Sequence, residues 1–376
     1  MNANNMTYAG TGVNYDAMDP YKRTAQLSAV KTDLSIERLG FKVVPWSRGE
    51  SAFLIETPWG YLGFVVEGLG TKNLVADAMY QLAQTMSQLT SRSYYYNVGI
   101  CNAAMALNDL VTLGVYPVCY GQYLAVGDSG WFEDERRAED LIVGTKRACD
   151  LARCVWGGGE TPTLKGIIVP GATDLAGATF GVITRKDRVI NPANIRHGDA
   201  IILIESSGIH ANGLTLARKI ADKLPDGYLT KLLDGRTYGA TLLEPTIIYV
   251  GLVEDCLEQG VNIHYAVNIT GHGWRKLMRA TQPFAYIIEQ LPTQQVIFDF
   301  IQRYGPVDDE EAYGNLNMGA GFALYVSETD VLTVCSIATD LGLRAVYAGH
   351  IERSDVSHVR IKPKGLVYGS DTLAVR

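Results

Sequence analysis

The stretch GFVVEGLGTKNLVAD, residues 63–77, runs from apolar residues into a glycine turn and then into a polar run that contains alanines. An apolar run that ends in glycines is typical of a strand, and the run after the turn favours a helix. Glycine lets the backbone approach an anion closely, and the N–H groups at the start of a helix supply donors and a favourable dipole. The stretch therefore predicts a strand, a turn and a helix of a mixed α/β fold, with a turn suited to binding an anion.

Three more turns along the chain share this design. They are WGGGET at 156–161, ESSGIHANG at 205–213 and NITGHG at 268–273, and in each a strand-like run leads into glycines flanked by acids or hydroxyls. A single turn of this type is most often an ordinary tight turn, but four of them favour a site that handles phosphate. None matches a Walker P-loop or the dinucleotide fingerprint, so any ATP would be bound in another way.

Length and composition predict two domains. The chain has 376 residues, 47% of them apolar, and a polar connector with proline at 185–198 separates two strand-like runs. We therefore predict an N-terminal α/β domain at 1–188 and a C-terminal α/β domain at 189–376. No apolar run is long enough to span a membrane, and the first residues lack the features of a signal peptide, so we expect a cytoplasmic protein with no membrane partner.

Charge and cysteine usage narrow the class of partner. Six cysteines without a C-x-x-C pair argue against a zinc knuckle and against a secreted disulfide framework, so we expect reduced thiols. A net charge of -7 without a basic cluster predicts no positively charged surface for binding nucleic acid. The expected partner is a small molecule, and local backbone geometry can still hold a small anion on such a chain.

Eight ordered sequence blocks carry a resemblance to a known family. They are TGVNYDA (11–17), EGLGTK (67–72), NDLVTLGVYP (108–117), WGGGET (156–161), ESSGIHANG (205–213), LLEPTIIYV (242–250), NITGHG (268–273) and NMGAGF (317–322). In their order and approximate spacing they resemble the aminoimidazole ribonucleotide (AIR) synthetases, also called phosphoribosylformylglycinamidine cyclo-ligases. The resemblance covers nearly the whole chain, which makes it far more specific than any one glycine turn.

The resemblance implies a fold and an activity. The expected fold is a two-domain, AIR-synthase-like α/β (α+β) fold, with an N-terminal sheet completed across a homodimer, a C-terminal α/β domain and an active site between the domains. The expected cofactors are ATP and Mg²⁺. The expected reaction converts formylglycinamidine ribonucleotide, a small phosphorylated substrate, to aminoimidazole ribonucleotide with release of ADP and phosphate.

The resemblance also implies roles for individual residues. The implied metal ligands are Glu67, Asp109 and Glu160. The residues implied around the nucleotide are Asp16, Gly68, Gly70, Thr71, Lys72 and Asn108. The residues implied around the substrate are Ser207, Gly208, His210, Asn212, Thr270 and Gly271. Those implied in catalysis are Lys72, Asp109, Glu160 and His210.

Each of these positions also has a plain structural interpretation. EGLGTK can be a capped turn with a solvated lysine, and Asp109 can be a buried hydrogen-bonding residue on an apolar helix. Glu160 can be a carboxylate at a helix start, and His210 can cap the helix that begins near Leu214. For Thr270 and Gly271 an ordinary turn between secondary-structure elements is nearly as good an interpretation.

Departures from the family pattern predict a rearranged metal site. The family usually has aspartate at the positions of Glu67, Asn14, Cys101 and Gln122, a lysine at the position of Ala9 and a glycine at the position of His272. Mg²⁺ prefers hard oxygen ligands, so a longer carboxylate is tolerable but a thiol is a poor substitute. The alternatives to an active cyclo-ligase are therefore a paralogue that acts on another amide or phosphate acceptor and a non-catalytic nucleotide-binding subunit.

Overall fold

The computed structural model describes residues 6–7, 9–12, 15–86 and 93–373, and of residues 9, 15 and 16 it describes the backbone alone. Asn14 and the side chain of Asp16 therefore lie outside the described residues, and the role expected for Asp16 stays a prediction. No helix in the described part of the chain has the length and apolar character needed to cross a membrane.

The N-terminal half folds around a six-stranded sheet. Its strands are β1 (Lys42–Val43), β2 (Phe53–Thr57), β3 (Gly60–Gly68), β4 (Tyr116–Val126), β5 (Val155–Glu160) and β6 (Thr173–Ile183), in the order β1-β2-β3-β6-β4-β5. Its helices are α1 (Tyr15–Val30), α2 (Lys72–Thr85), α3 (Tyr95–Val111) and α4 (Glu135–Leu151). β4 and β5 are parallel, and the other neighbouring strands are antiparallel.

Helix α3 covers the inner face of this sheet and is buried along almost its whole length. It can pack closely against α4 because Gly99 has no side chain: a Cβ there would lie 2.7 Å from the carbonyl oxygen of Leu141. The side chains of β3 alternate, with Val65 buried beneath α3 while Phe64 and Val66 are exposed on the outer face. The sheet thus has one face in the core and one apolar face open to solvent.

The C-terminal half folds around a seven-stranded sheet. Its strands are β7 (Ala200–Glu205), β8 (Ile263–Asn268), β9 (Phe284–Ile288), β10 (Ala320–Val326), β11 (Ala345–Arg353), β12 (His358–Ile361) and β13 (Leu366–Gly369), in the order β13-β12-β9-β11-β7-β10-β8. Its helices are α5 (Leu214–Ala221), α6 (Tyr238–Leu242), α7 (Val250–Glu258), α8 (Val296–Tyr304), α9 (Asp309–Asn315) and α10 (Val331–Asp340). Every residue of β8 and β10 is buried, including the polar residues His264 and Asn268 of β8.

The two halves are joined by polar side chains of α3. Asn97 donates through Nδ2 to the carbonyl of Leu243 at 2.8 Å. Asn108 donates to the carbonyl of Ile247 at 2.8 Å and accepts from the backbone N–H of Tyr249 at 2.9 Å. These bonds satisfy a backbone segment that has no regular partner of its own, so they fix the segment 243–249 against the N-terminal half.

The predicted α/β fold with two sheets is confirmed. The first sheet ends at Ile183 and the second begins at Ala200, and the predicted division after residue 188 stays a prediction. The homodimer expected from the resemblance also stays a prediction.

Candidate functional site

Three of the glycine turns meet where the two halves of the chain face each other. The turn after β3 approaches the helix that follows the turn after β7, because the hydroxyls of Thr71 and of Thr215 in the first turn of α5 lie 3.4 Å apart. The turn after β7 contacts the turn after β8, because the Gly271 N–H donates to Asn212 Oδ1 at 3.1 Å. The sequence predicted these turns as separate anion-binding candidates, and the fold gathers them into one cleft.

Two carboxylates and a lysine of this cleft interact electrostatically. Glu67, near the end of β3, is exposed at the mouth of the cleft, yet the protein around its carboxylate removes enough water to raise its pKa to about 7. The negative charge of Asp109 adds to this rise, and the positive charges of Lys276 and Arg279 oppose it. Glu67 and Asp109 therefore lie close enough to interact electrostatically.

Hydrogen bonds from the second domain hold Asp109 and Lys276 in place. Asp109 is 6% exposed, and its Oδ1 accepts from Asn268 Nδ2 at 2.7 Å. Lys276 is 8% exposed; its ammonium donates to Thr270 Oγ1 and, at 3.4 Å, to the carbonyl of Asn268. Burial lowers the pKa of Lys276, while Asp109 favours its charged form. Sequence reasoning missed Lys276, because it lies in the short 3₁₀ turn Gly273–Met278, which shows no periodicity.

Lys72 is turned away from open solvent. It is fully buried, and its ammonium donates to the carbonyls of His210 at 2.7 Å and Glu244 at 2.5 Å. Both acceptors belong to the C-terminal half, so Lys72 links the two halves of the chain. The phosphate-binding role predicted for it stays a prediction.

His210 is a buried, neutral turn residue. It has a left-handed backbone, with φ of 59°, and its ring Nε2 accepts from the N–H of Ser207 at 3.2 Å. Burial and the neighbouring charge of Lys72 lower the pKa of His210 to about 3, so the ring carries no charge at neutral pH. Ser207 donates to the carbonyl of Pro245 at 2.6 Å, and Asn317 donates to that of Gly208 at 2.9 Å. These bonds make the turn after β7 a rigid one.

Glu160 does not join Glu67 and Asp109 within one chain. Across the sheet Glu67 pairs with Gly177, which pairs with Gln122, whereas Glu160 pairs with Tyr123. Paired residues point to the same face, so Glu160 points to the opposite face from Glu67, and three strand spacings separate their backbones by about 14 Å. Among the described residues no group of three or more acids, histidines or cysteines is placed to hold a metal ion.

The remaining predicted residues lie at or beside the cleft. Gly70 has φ of 74°, and a Cβ there would lie 4.0 Å from the carbonyl of Ala211, so this turn passes close to the turn after β7. Thr270 accepts from Lys276, and Asn212 Nδ2 has no acceptor among the described residues. Cys101, where the family has aspartate, does not face the carboxylates: its sulfur accepts from the N–H of Thr246 at 3.2 Å.

Comparison with known proteins gives family matches over most of the chain. The model of the "AIR synthase related protein, N-terminal domain" matches residues 70–183, and the model of its C-terminal domain matches residues 196–362. The phosphoribosylformylglycinamidine cyclo-ligase of Methanocaldococcus jannaschii is 32% identical over 371 residues, which cover 97% of this chain and 98% of that protein. That of Carboxydothermus hydrogenoformans is 33% identical over 358 residues, covering 92% and 96%.

Solved structures show the same fold at low identity. AaThiL complexed with AMPPCP and TMP has a TM-score of 0.55 and 15% identity, covering 89% of this chain and 95% of that chain. The crystal structure of the HypE–HypF complex has a TM-score of 0.57 and 14% identity, covering 87% and 94%. At this level of identity the likeness concerns the fold alone.

Proposed function

The chain belongs to the AIR synthase related family, and we propose that it is an ATP-dependent phosphoribosylformylglycinamidine cyclo-ligase of purine biosynthesis. The observation that carries the proposal is the match, at 32–33% identity, to cyclo-ligases along almost their full length. The proposed reaction takes formylglycinamidine ribonucleotide and ATP to aminoimidazole ribonucleotide, ADP and phosphate.

The proposed chemistry is mainly a matter of positioning and charge neutralisation. The amide oxygen of the formyl group accepts the terminal phosphoryl group of ATP, which turns that oxygen into a leaving group. The amidine nitrogen then attacks the activated carbon, and phosphate leaves as the imidazole ring closes. A cleft with carboxylates on one wall and cations on the other suits this reaction.

The cleft fits a magnesium ion bound together with a nucleotide. Mg²⁺ is usually held by one or two carboxylates together with substrate phosphates, and Glu67 and Asp109 are two carboxylates close enough to interact electrostatically. When bound, the ion would neutralise the phosphate charge, and these two residues would hold it. Glu160 would have to reach such a site from a partner subunit or act elsewhere, because it points to the other face of the sheet.

The glycine turns are assigned to the phosphates and the substrate. Gly68, Gly70 and Thr71 offer the nucleotide a close backbone and a hydroxyl. Asn212 has a firm orientation because its Oδ1 accepts from Gly271, which leaves Nδ2 free to donate to a substrate phosphate. His210 stabilises this turn because its ring Nε2 accepts from the N–H of Ser207. We therefore propose that it contributes to substrate binding by holding the turn in place.

Product formation tests the function directly. We expect the purified protein with Mg²⁺, ATP and formylglycinamidine ribonucleotide to form ADP and aminoimidazole ribonucleotide in equal amounts, with the Methanocaldococcus jannaschii relative assayed in parallel. If the relative is active and this protein forms neither product, the cyclo-ligase proposal is wrong. Nucleotide binding without turnover would then favour a binding subunit, and ADP release with another acceptor would favour a paralogue.

The exposed face of the first sheet supports a homodimer. Phe64 and Phe180 pair directly across neighbouring strands and are 49% and 47% exposed, and Val66 and Val118 lie exposed on the same sheet. A contiguous apolar face of this kind is typical of a subunit interface.

We expect a dimer mass by light scattering at micromolar concentration, and a monomer for Phe180→Asp. Leu233→Asp, at a 93% exposed leucine of the other domain, is the control that should stay dimeric. A monomeric wild type would refute the prediction.

The cysteines support the proposed cytoplasmic location. All six are free in the structure. Free thiols are typical of proteins kept in a reducing compartment.

A further inference from the structure

We propose that Lys276 contacts the phosphate chain of the nucleotide beside Glu67 and Asp109 and neutralises the charge on the phosphoryl group during its transfer. The inference rests on the proposed function and assigns the cation that this function requires. In the free protein the same ammonium acts as the counter-ion of the two carboxylates.

The surroundings of Lys276 indicate that its positive charge has a functional role. The ammonium is buried, and it forms no ion pair within 4.0 Å in the described part of the chain; its two acceptors are a hydroxyl and a carbonyl oxygen. A buried ammonium held only by neutral oxygens is unfavourable unless other charges stabilise it. Those charges are on Glu67 and Asp109, and Asp109 accepts from the side chain of Asn268, whose carbonyl accepts from Lys276.

One donor of Lys276 is not used by the described residues. An ammonium carries three N–H donors, and Thr270 and Asn268 accept two of them. The remaining donor is on a group that already faces the carboxylates proposed to bind the metal. A phosphate bound beside these carboxylates would therefore lie within reach of the third N–H.

The other cations around Glu67 already have partners. Arg279 donates to the carbonyl of Gly49 and to Ser51 Oγ, and it lies 4.0 Å from Glu50. Lys22 pairs with Asp19 at 3.2 Å. Lys72 is committed to two carbonyls in the linkage between the domains. Among the described cations near the carboxylates, Lys276 is the one best placed to meet a phosphate.

The 3₁₀ turn that carries Lys276 is anchored by the two residues that precede the lysine. The preceding Trp274 donates through Nε1 to the carbonyl of Asn317 at 2.7 Å, and Arg275 donates to the carbonyl of Gly314 at 2.7 Å. A cation fixed in advance need not reorganise when charge develops, which is how preorganised groups stabilise transition states. During transfer the new bond joins the amide oxygen to phosphorus, the bond to the β-phosphate oxygen breaks, and its electron pair stays on ADP. Lys276 donates hydrogen bonds throughout and gives up no proton.

Removal of the charge on Lys276 should strengthen the binding of a metal ion and weaken the binding of a nucleotide. We expect Lys276→Met to bind Mn²⁺ about tenfold more tightly in the absence of nucleotide, because a positive charge beside the carboxylates is gone. The same variant should bind MgADP about 10- to 100-fold more weakly and lose turnover by a similar factor, because a charged hydrogen bond to phosphate is lost. Lys231→Met, at an exposed lysine of the same domain, is the matched control and should change neither affinity.

A second variant separates charge from structure. Lys276→Gln can still donate to Thr270 but carries no charge. If the charge matters, it should behave as Lys276→Met does in all three measurements. Wild-type affinities in the glutamine variant, or unchanged Mn²⁺ and nucleotide affinities in the methionine variant, would overturn the proposal and leave Lys276 a structural residue.

Labelling of the unmodified protein gives a test that does not depend on the folding of a variant. An acyl-phosphate derivative of ATP transfers its acyl group to a lysine beside the phosphates, with formation of an amide and release of the nucleotide phosphate and a proton. Peptide mapping should find the label on Lys276, and ATP should protect it. Protected labelling at another lysine, without label on Lys276, would overturn the proposal. Failure of the cyclo-ligase assay leaves these binding and labelling results unaffected, so the two proposals fail separately.

Discussion

Replacement of Glu67 by glutamine should abolish most ATP turnover and leave the fold intact. The change removes the negative charge that Glu67 would offer to a bound metal ion but keeps the size of the side chain and one oxygen. Mg²⁺ depends on the charge of its carboxylate ligands, so we expect turnover to fall by on the order of 10²-fold or more and the Mg²⁺ concentration needed for half-maximal rate to rise. Glu67 is an exposed residue, which is why the fold should tolerate the change.

The measurement is ATP turnover as a function of Mg²⁺ concentration for the wild type and the variant. Glu139→Gln, at an exposed acid of α4, makes the same chemical change away from the cleft and should retain wild-type rates. Thermal unfolding of both variants serves as the folding control. If Glu67→Gln keeps both its rate and its Mg²⁺ dependence, EGLGTK is only a turn, and the metal site proposed here is wrong.

Glu67→Asp asks whether the longer side chain is adapted to this cleft. The family usually has aspartate at this position, but here Asp109, Lys276 and Arg279 set the charges around a glutamate. Mg²⁺ tolerates little error in the position of its ligands, so the shorter side chain should lower the rate. A rate equal to or above that of the wild type would show that the cleft has not adapted to glutamate.

The sequence predicted the elements around the site well because their signals are local. The strand, glycine turn and helix at 63–77 appear as β3, its turn and α2, and the apolar strand before ESSGIHANG appears as β7. Periodicity and glycine turns depend on only a few neighbouring residues, so they can be recognised from a short stretch of sequence.

The sequence could not predict where individual side chains point, because contacts with residues far along the chain decide their directions. Lys72 directly follows the first glycine turn, but its acceptors lie 138 and 172 positions further along the chain. The face occupied by Glu160 depends on strand register, and irregularities in the pairing of β4 after Pro117 and Tyr120 break the simple alternation. Lys276 belongs to a turn without a periodic pattern, so only the folded cleft shows its proximity to Asp109.

Lys72→Met should cause the largest loss of stability among the substitutions considered. The ammonium of Lys72 is fully buried and is the donor to two carbonyls of the other domain, and methionine can fill much of the space but cannot donate. Two buried carbonyls would then lose a charged hydrogen bond, while the cost of burying the ammonium would be relieved. We expect a net loss of about 3 kcal/mol in the free energy of unfolding.

Denaturant unfolding and nucleotide binding together decide what Lys72 does. Lys219→Met removes an exposed lysine that donates to one carbonyl, that of Gly10, and should change stability by less than about 0.5 kcal/mol. If Lys72 links the domains, Lys72→Met should unfold at a lower denaturant concentration yet bind nucleotide with wild-type affinity under conditions where it is folded. If Lys72 binds a phosphate, as the resemblance implied, nucleotide affinity should fall while stability is kept. The two bonds to the C-terminal half favour the first outcome, because an ammonium that donates at 2.5 and 2.7 Å to fixed carbonyls cannot move to a ligand without breaking them.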